Sequence, residues 1–189
     1  MLNTFVVYVE NKPGVLTRVA SLFRRRAFNI DSLTVGRTEK PEVSRMTIVV
    51  DADVDQAHRV EANLYKLVNV LFVENITGKS AISRDLAMIK VTATHGERSH
   101  VLELANVFRA RVVDVGPESL TIEITGPEAK IDGLLDVLRP YGIIEMVRTG
   151  VVAMRRGAKS EGASVSTTPA NGAEPDGPAA ADDGVSYSV

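Results

Sequence analysis

Two stretches of this sequence repeat one order of hydrophobic periods: strand, helix, strand, strand, helix, strand. In the first copy Thr4 to Glu10 alternates as a strand. Leu16, Val19, Leu22 and Phe23 then make the apolar stripe of a helix whose other face carries Thr17, Arg18, Ser21 and Arg25. Phe28 to Gly36 reads as a second strand and "RTEKPE" as a loop. "VSRMTIVVD" reads as a third strand, with Met46, Ile48 and Val50 on one face and Arg45 and Thr47 on the other. Ala57, Val60, Leu64 and Leu67 stripe a second helix, and "VLFVENIT" closes the copy.

A constant offset pairs Phe23 with Phe108, Asn29 with Asp114 and Ile30 with Val115. A shorter hairpin in the second copy then brings "MTIVV" onto "LTIEI". Its last helix is predicted to start from a capping box, Thr125 to Glu128, with Pro127 in the first turn and a stripe of Ile131, Leu134, Leu135 and Leu138. The repeated βαββαβ unit predicts an α+β chain of two tandem ferredoxin-like units, each an antiparallel four-stranded sheet with both helices on one face. The expected boundaries are 1–79 for the first unit, 80–156 for the second and 157–189 for a disordered tail. A unit of roughly 60 residues buries only about 60% of its unfolded surface, so pairing through sheet edges or helices, a homodimer, is expected.

The tail expectation rests on composition. From Gly157 onward the chain is Gly, Ala, Ser, Pro and Asp with almost no large apolar residue, too little to offset the entropy of ordering. The tail also holds Lys159 against Glu161, Glu174, Asp176, Asp182 and Asp183, so the net charge of −2 leaves the rest near neutral. Strong attraction to nucleic acid or to an acidic membrane is not expected. The apolar runs fall far short of the roughly 18 residues that cross a bilayer, and the N-terminus enters a strand pattern with no secretory signal, so a cytoplasmic protein is the default. With no cysteine there is no disulfide, thiolate metal site or cysteine nucleophile.

"YVENKPGVLTRVASLF" carries the strongest candidate site. Asn11, Pro13 and Gly14 are residues that start a helix, and a helix start alone is one reading of them. They also suit a small carboxylate: free NH groups and the positive dipole end face it, with Gly14 letting the backbone come close. Asn11 and Asn29 would then offer side-chain oxygens to an ammonium group, and two uncharged asparagines beside a helix end fit a zwitterion. At the repeat's offset Asn11 falls on Gly96, Gly14 on Ser99 and Asn29 on Asp114, so the constellation belongs to the first copy alone.

Other motifs fail on spacing. "DADVD", Asp51 to Asp55, opens like a calcium loop, but Gln56 replaces the required Gly and Ala62 the required Glu, so its acids are read as caps for the second helix. His58, His95 and His100 lack a helical spacing with a carboxylate partner, and no metal site is expected. Arg24, Arg25 and Arg26 suit the negative end of the first helix. No nucleophile elbow, phosphate-binding glycine loop or H-E-x-x-H helix is present, which reads as a binding module with no catalytic residues.

At "NKPGVLTRVASLFRRRAFNIDSLTVGRTEKPEVSRMTIVV" and at "TGVVAMRRG" the chain resembles the regulatory (small) subunit of acetolactate synthase, also called acetohydroxyacid synthase. Its first half is similar to an ACT domain, and the resemblance runs from Met1 to about Gly157. It implies a non-catalytic subunit that binds a catalytic (large) subunit, raises its activity and confers feedback inhibition by valine in branched-chain amino acid synthesis. No cofactor is implied in this chain; thiamine diphosphate, Mg2+ and FAD are expected on the partner. Also implied is a side-by-side pair of ACT domains with effector at the interface. There Asn11, Pro13, Gly14, Val15, Leu16, Asn29 and Ile30 form the effector site, one asparagine reaching it from across the interface. The tail departs from the family and inherits no role.

Two readings compete with this one. An ACT-type sensor of another amino acid, regulating a different enzyme, is the alternative, because one methylene in an apolar pocket is worth only about 1 to 3 kcal/mol. An RNA-binding module shares the element order but needs aromatic residues on its central strands, and "VSRMTIVVD" has none.

Overall fold

A computed structural model describes residues 1–157, so the expectation for the tail lies outside the described residues. The first unit runs β1 (Leu2–Glu10), α1 (Val15–Arg25), β2 (Ile30–Arg37), β3 (Val43–Asp51), α2 (Val54–Leu64) and β4 (Val70–Asn75). The second runs β5 (Ala81–Thr92), α3 (Arg98–Val107), β6 (Arg111–Val115), β7 (Ser119–Gly126), α4 (Glu128–Leu138), a 3-10 turn (Arg139–Tyr141), β8 (Ile143–Arg148) and β9 (Val152–Arg155). Strand orders β2-β3-β1-β4 and β6-β7-β5-β8 are the same antiparallel arrangement twice, the ferredoxin-like topology that the repeat predicts.

Alternation explains the first core. Phe5, Val7 and Val9 of β1 and Met46, Ile48 and Val50 of β3 face one way and meet Val15, Val19, Leu22 and Phe23 of α1 with Ala57, Val60 and Leu64 of α2. Burying each of these side chains larger than alanine contributes about 1.5 to 3 kcal/mol before entropy is counted. The second core repeats this with Ala87, Ile89 and Val91 of β5 and Leu120, Ile122 and Ile124 of β7 under Val101 and Ala105 of α3 and Ile131, Leu134 and Leu138 of α4.

The opposite face of the first sheet is covered as well. Strand β5 extends beyond its own sheet: Ala81 to Arg84 pairs with β9, while Asp85 onward pairs with β7. The β5–β9 ribbon lies on the first sheet, where Ala153 packs with Val6 and Ile76 and with the partly buried Tyr8, Ala81 and Val151. Arg45 donates to the Ala153 carbonyl and sits 5.7 Å over the Tyr8 ring. Arg155 bonds Glu74 at 2.9 Å. This ribbon was not legible in the periods, which place only four strands in each copy.

Several local expectations change. Thr125 stays in the ladder opposite Leu86, so it caps nothing; Pro127 is the N-cap of α4 and no side chain caps that helix. Phe28 belongs to the corner after α1 rather than to β2, its amide donating to the Phe23 carbonyl and its ring edge-on to Phe23 at 6.3 Å. Leu67 lies past the end of α2, though it still packs on the core. Asp53, by contrast, caps α2 in a full capping box with Gln56, the residue that breaks the calcium-loop pattern.

Candidate functional site

Left-handed backbone sets the start of α1. Gly14 is the N-cap with φ 81°, a region that only glycine enters without strain, and a Cβ there would meet nothing within 4 Å. No side chain caps the helix. Neither asparagine nor proline is therefore the cap: Pro13 precedes it, and the Asn11 side chain donates from Nδ2 to the Pro41 carbonyl at 2.9 Å while its amide donates to Glu42. These two bonds pin the loop to the β2–β3 hairpin and leave Asn11 Oδ1 without a partner among the described residues.

The Val15 amide reaches the Lys12 carbonyl at 3.4 Å, whereas the amides of Gly14, Leu16 and Thr17 find no acceptor among the described residues. Val15 is buried in the core, and Leu16 is 45% exposed beside the open amides. Exposed donors at a helix N-terminus next to an unpaired amide oxygen can take an α-carboxylate and an α-ammonium.

A neighbouring network holds this end rigid. Arg18 donates to Asn69 Oδ1 at 2.5 Å, Asn69 donates to Glu10 Oε2 at 2.5 Å, and Lys12 bonds Glu10 Oε1 at 3.1 Å. The bond from Asn69, then that from Lys12, holds the Glu10 carboxyl below its ordinary range. Nothing in the sequence marks Asn69, which lies in the turn before β4.

Asn29 and Ile30 are elsewhere. Asn29 follows the corner after α1, exposed and with no hydrogen bond from its side chain among the described residues; Ile30 pairs with Val50 and packs on the core. Asn11 stands at the Val43 end of β3 and Ile30 at the Val50 end, and the 11 residues of α1 span about 16 Å between the two groups. One chain thus brings Asn11, Pro13, Gly14, Val15 and Leu16 together but leaves Asn29 and Ile30 at the far end of the helix.

The repeat's internal comparison needs re-registering. The Asn11 and Ala93 amides donate to Glu42 and Glu118, and the strand irregularities fall at Tyr8/Val9 and Lys90/Val91, so along the strand Asn11 matches Ala93 rather than Gly96. Ala27 and Arg109 are the matching left-handed corners, φ 54° and 52°, so Asn29 matches Arg111 rather than Asp114. Phe23 likewise matches Ala105 rather than Phe108, since the Phe28 and Ala110 amides donate to the Phe23 and Ala105 carbonyls, so one shorter offset holds from β1 to the start of β2. The outcome is unchanged, because the second copy has neither asparagine, and no residue from Thr94 to Arg98 is left-handed. There the amides of Glu97 and Arg98 both donate to the Thr94 carbonyl.

No group of three or more His, Asp or Glu that could hold a metal ion occurs among the described residues, and no described helix is long and apolar enough to cross a membrane. The sheet face on which an RNA-binding module stacks bases does carry Tyr8 and Phe72, with centroids 6.1 Å apart. The β5–β9 ribbon and Arg45 occupy that face around Tyr8.

Comparison with known proteins identifies the family. The family described as AHAS small subunit-like ACT domain matches residues 5–72, and that described as small subunit of acetolactate synthase matches residues 84–157. A probable acetolactate synthase small subunit of Archaeoglobus fulgidus is 52% identical over 159 residues, 84% of this chain and 99% of its own. The acetolactate synthase small subunit of Mycobacterium bovis is 50% identical over 160 residues, 85% of this chain and 95% of its own. The crystal structure of the acetolactate synthase small subunit from Thermotoga maritima superposes with a TM-score of 0.79 at 37% identity, covering 84% of this chain and 99% of that one. Half-identical relatives aligned over nearly their whole length, together with both domain matches, place this chain in the acetolactate synthase small subunit family, as a regulatory subunit whose first unit is an ACT domain.

Proposed function

We propose that this chain activates the catalytic subunit of acetolactate synthase and makes it sensitive to valine, which binds between the ACT domains of two copies. The observation that carries the reading is the left-handed Gly14 start of α1, with its unclaimed amides beside Asn11 Oδ1. In this arrangement the valine carboxylate lies on the amides after Gly14. Asn11 Oδ1 accepts from the ammonium, Leu16 and Ile30 enclose the side chain, and Pro13 and Val15 fix the loop. Asn29 and Ile30 come from the second copy, because those of the same chain are a helix length away. A two-fold pair running α1 against α1 would bring each Gly14 to the other chain's Asn29.

Residues 1–79 act as the sensor in this reading, and 80–156 as the unit that transmits its state. The chemistry and its cofactors, thiamine diphosphate, Mg2+ and FAD, belong to the catalytic subunit, and the pair works in the cytoplasm. Valine needs no contact with the active site. A differential affinity for two arrangements of the pair, worth about 1 to 3 kcal/mol, changes coupled binding roughly 5 to 150 fold.

Reconstitution with the catalytic subunit tests this. Acetolactate formation should rise with added chain and fall again with millimolar valine. Activation without any valine effect, but with a response to another amino acid, would favour the alternative sensor. No activation at all would overturn the reading. In parallel, ligand at about 100 times its dissociation constant adds roughly 2.7 kcal/mol to the state that binds it. For a domain of this size that is on the order of ten degrees in Tm.

A further inference from the structure

The two faces of β2 look at different things. Its pairing with β3 slips between Ile30 and Ser32, a bulge that leaves Asp31 unpaired. Ile30 and Leu33 therefore both pack on the helix-side core, while Ser32 and Thr34 face the opposite way. There they meet the turn between β8 and β9. The Val151 amide donates to Ser32 Oγ at 3.1 Å, and Thr34 Oγ1 donates to the Thr149 carbonyl at 3.3 Å. Gly150 sits between them at φ 84°, so close that a Cβ would come within 2.5 Å of Ser32 Oγ and 3.1 Å of Thr34 Oγ1.

That turn is in its turn fastened to the second sheet. The Thr149 amide donates to the Leu86 carbonyl at 3.0 Å, the Leu86 amide donates to Thr149 Oγ1 at 3.2 Å, and Thr149 Oγ1 donates to the buried Asp85 at 3.2 Å. Arg148 reaches Asp132 and Glu128 of α4 and Asp85 of β5. Among the described residues β2 itself bonds the second unit through these two hydroxyls packed on one glycine, while Arg45 on β3 and Glu74 on β4 join the units farther along the sheet.

We propose that Ser32, Thr34 and the Thr149–Gly150–Val151 turn form the relay by which occupancy at the Asn29 and Ile30 end of β2 is passed to the second unit. The inference rests on the effector reading above and adds the route. Ser32 and Thr34 are positioning residues that touch no effector. Asp31, at the bulge, is exposed, whereas Gly150 has no room, so motion of the strand must move the turn or break its bonds.

The test uses the full chain with its catalytic subunit, in wild type, in Ser32→Ala/Thr34→Val and in Gly150→Ala. Valine binding is measured directly by calorimetry, inhibition by acetolactate formation, and the Leu86 and Thr149 amides by hydrogen exchange. The relay predicts valine affinity within about twofold of wild type in the double variant. It predicts that inhibition at saturating valine is largely lost, a coupling of at least about fivefold removed, and that the valine-dependent change in Leu86 exchange disappears. Gly150→Ala, whose methyl meets both hydroxyls, should uncouple in the same way. Unchanged inhibition in the double variant, with wild type responding normally, would overturn the relay alone. A wild type that binds no valine and shows no inhibition would overturn the effector reading and the relay with it.

Discussion

Gly14 and Asn29 stand at opposite ends of α1, about 16 Å apart along the helix axis. Both are exposed, and the side chain of Asn29 is bonded to nothing among the described residues. On the proposed effector reading, a site that uses both residues takes them from two chains.

Gly14→Ala isolates the backbone part of that site. An L-residue at φ 81° costs about 1 kcal/mol or somewhat more, and no neighbour obstructs the methyl. The expected outcome is a fall in Tm of several degrees, with a larger proportional loss of valine affinity because the amides after Gly14 are re-aimed. Calorimetric melts and titrations on the same preparation separate the two effects. Unaltered valine affinity would remove the α1 start from the site.

Asp53→Ala is the complementary control. It breaks the capping box with Gln56 and costs about 1 kcal/mol of stability. Residues of α2 line none of the proposed effector site, so valine affinity and inhibition should stay as in wild type. A shifted inhibition midpoint would show that α2 takes part in the response.

The Glu10 carboxyl gives a pH signature. Its bonds from Asn69 and Lys12 lower its pKa below the ordinary 4.5. With the folded value depressed, its contribution to stability is complete above the unfolded pKa and is lost as pH falls through the folded one. Asn69→Ala removes the larger cause, so the Glu10 titration followed by carbon NMR should move up toward 4.5. The acid limb of stability attributable to this group should flatten. No movement of the titration would mean that Lys12 alone holds the carboxyl charged.

How much of this was legible in the sequence depends on which contacts are local. Val19, Leu22 and Phe23 of the α1 stripe, the alternation of β3 and the Asp53 cap follow from neighbours within a few residues, and the structure shows each of them; Leu16, expected in that stripe, is 45% exposed and Val15 is buried in its place. Thr125 misled because its capping pattern is also local, yet the ladder to Leu86 on β5 decides its backbone. The β9 strand, Asn69 and the Ser32–Val151 bond each join residues far apart in sequence, and four residues of "VAMR" carry no period from which a partner on β5 can be read. The site was half legible: Asn11 to Leu16 gather at one end of α1. That Asn29 and Ile30 lie at the other end follows only once the helix length and the direction of β2 are known.

The most direct test of a two-chain site is complementation. A chain carrying Gly14→Ala and a chain carrying Asn29→Leu are each expected to bind little valine. Refolded together in equal amounts, they should regain binding to about a quarter of the wild-type sites, since half of the random dimers are mixed and each mixed dimer holds one intact site. Recovery of that order, seen by calorimetry, is what a shared interface gives. Two variants that stay as weak in mixture as they are apart would contradict it and return the whole site to a single chain.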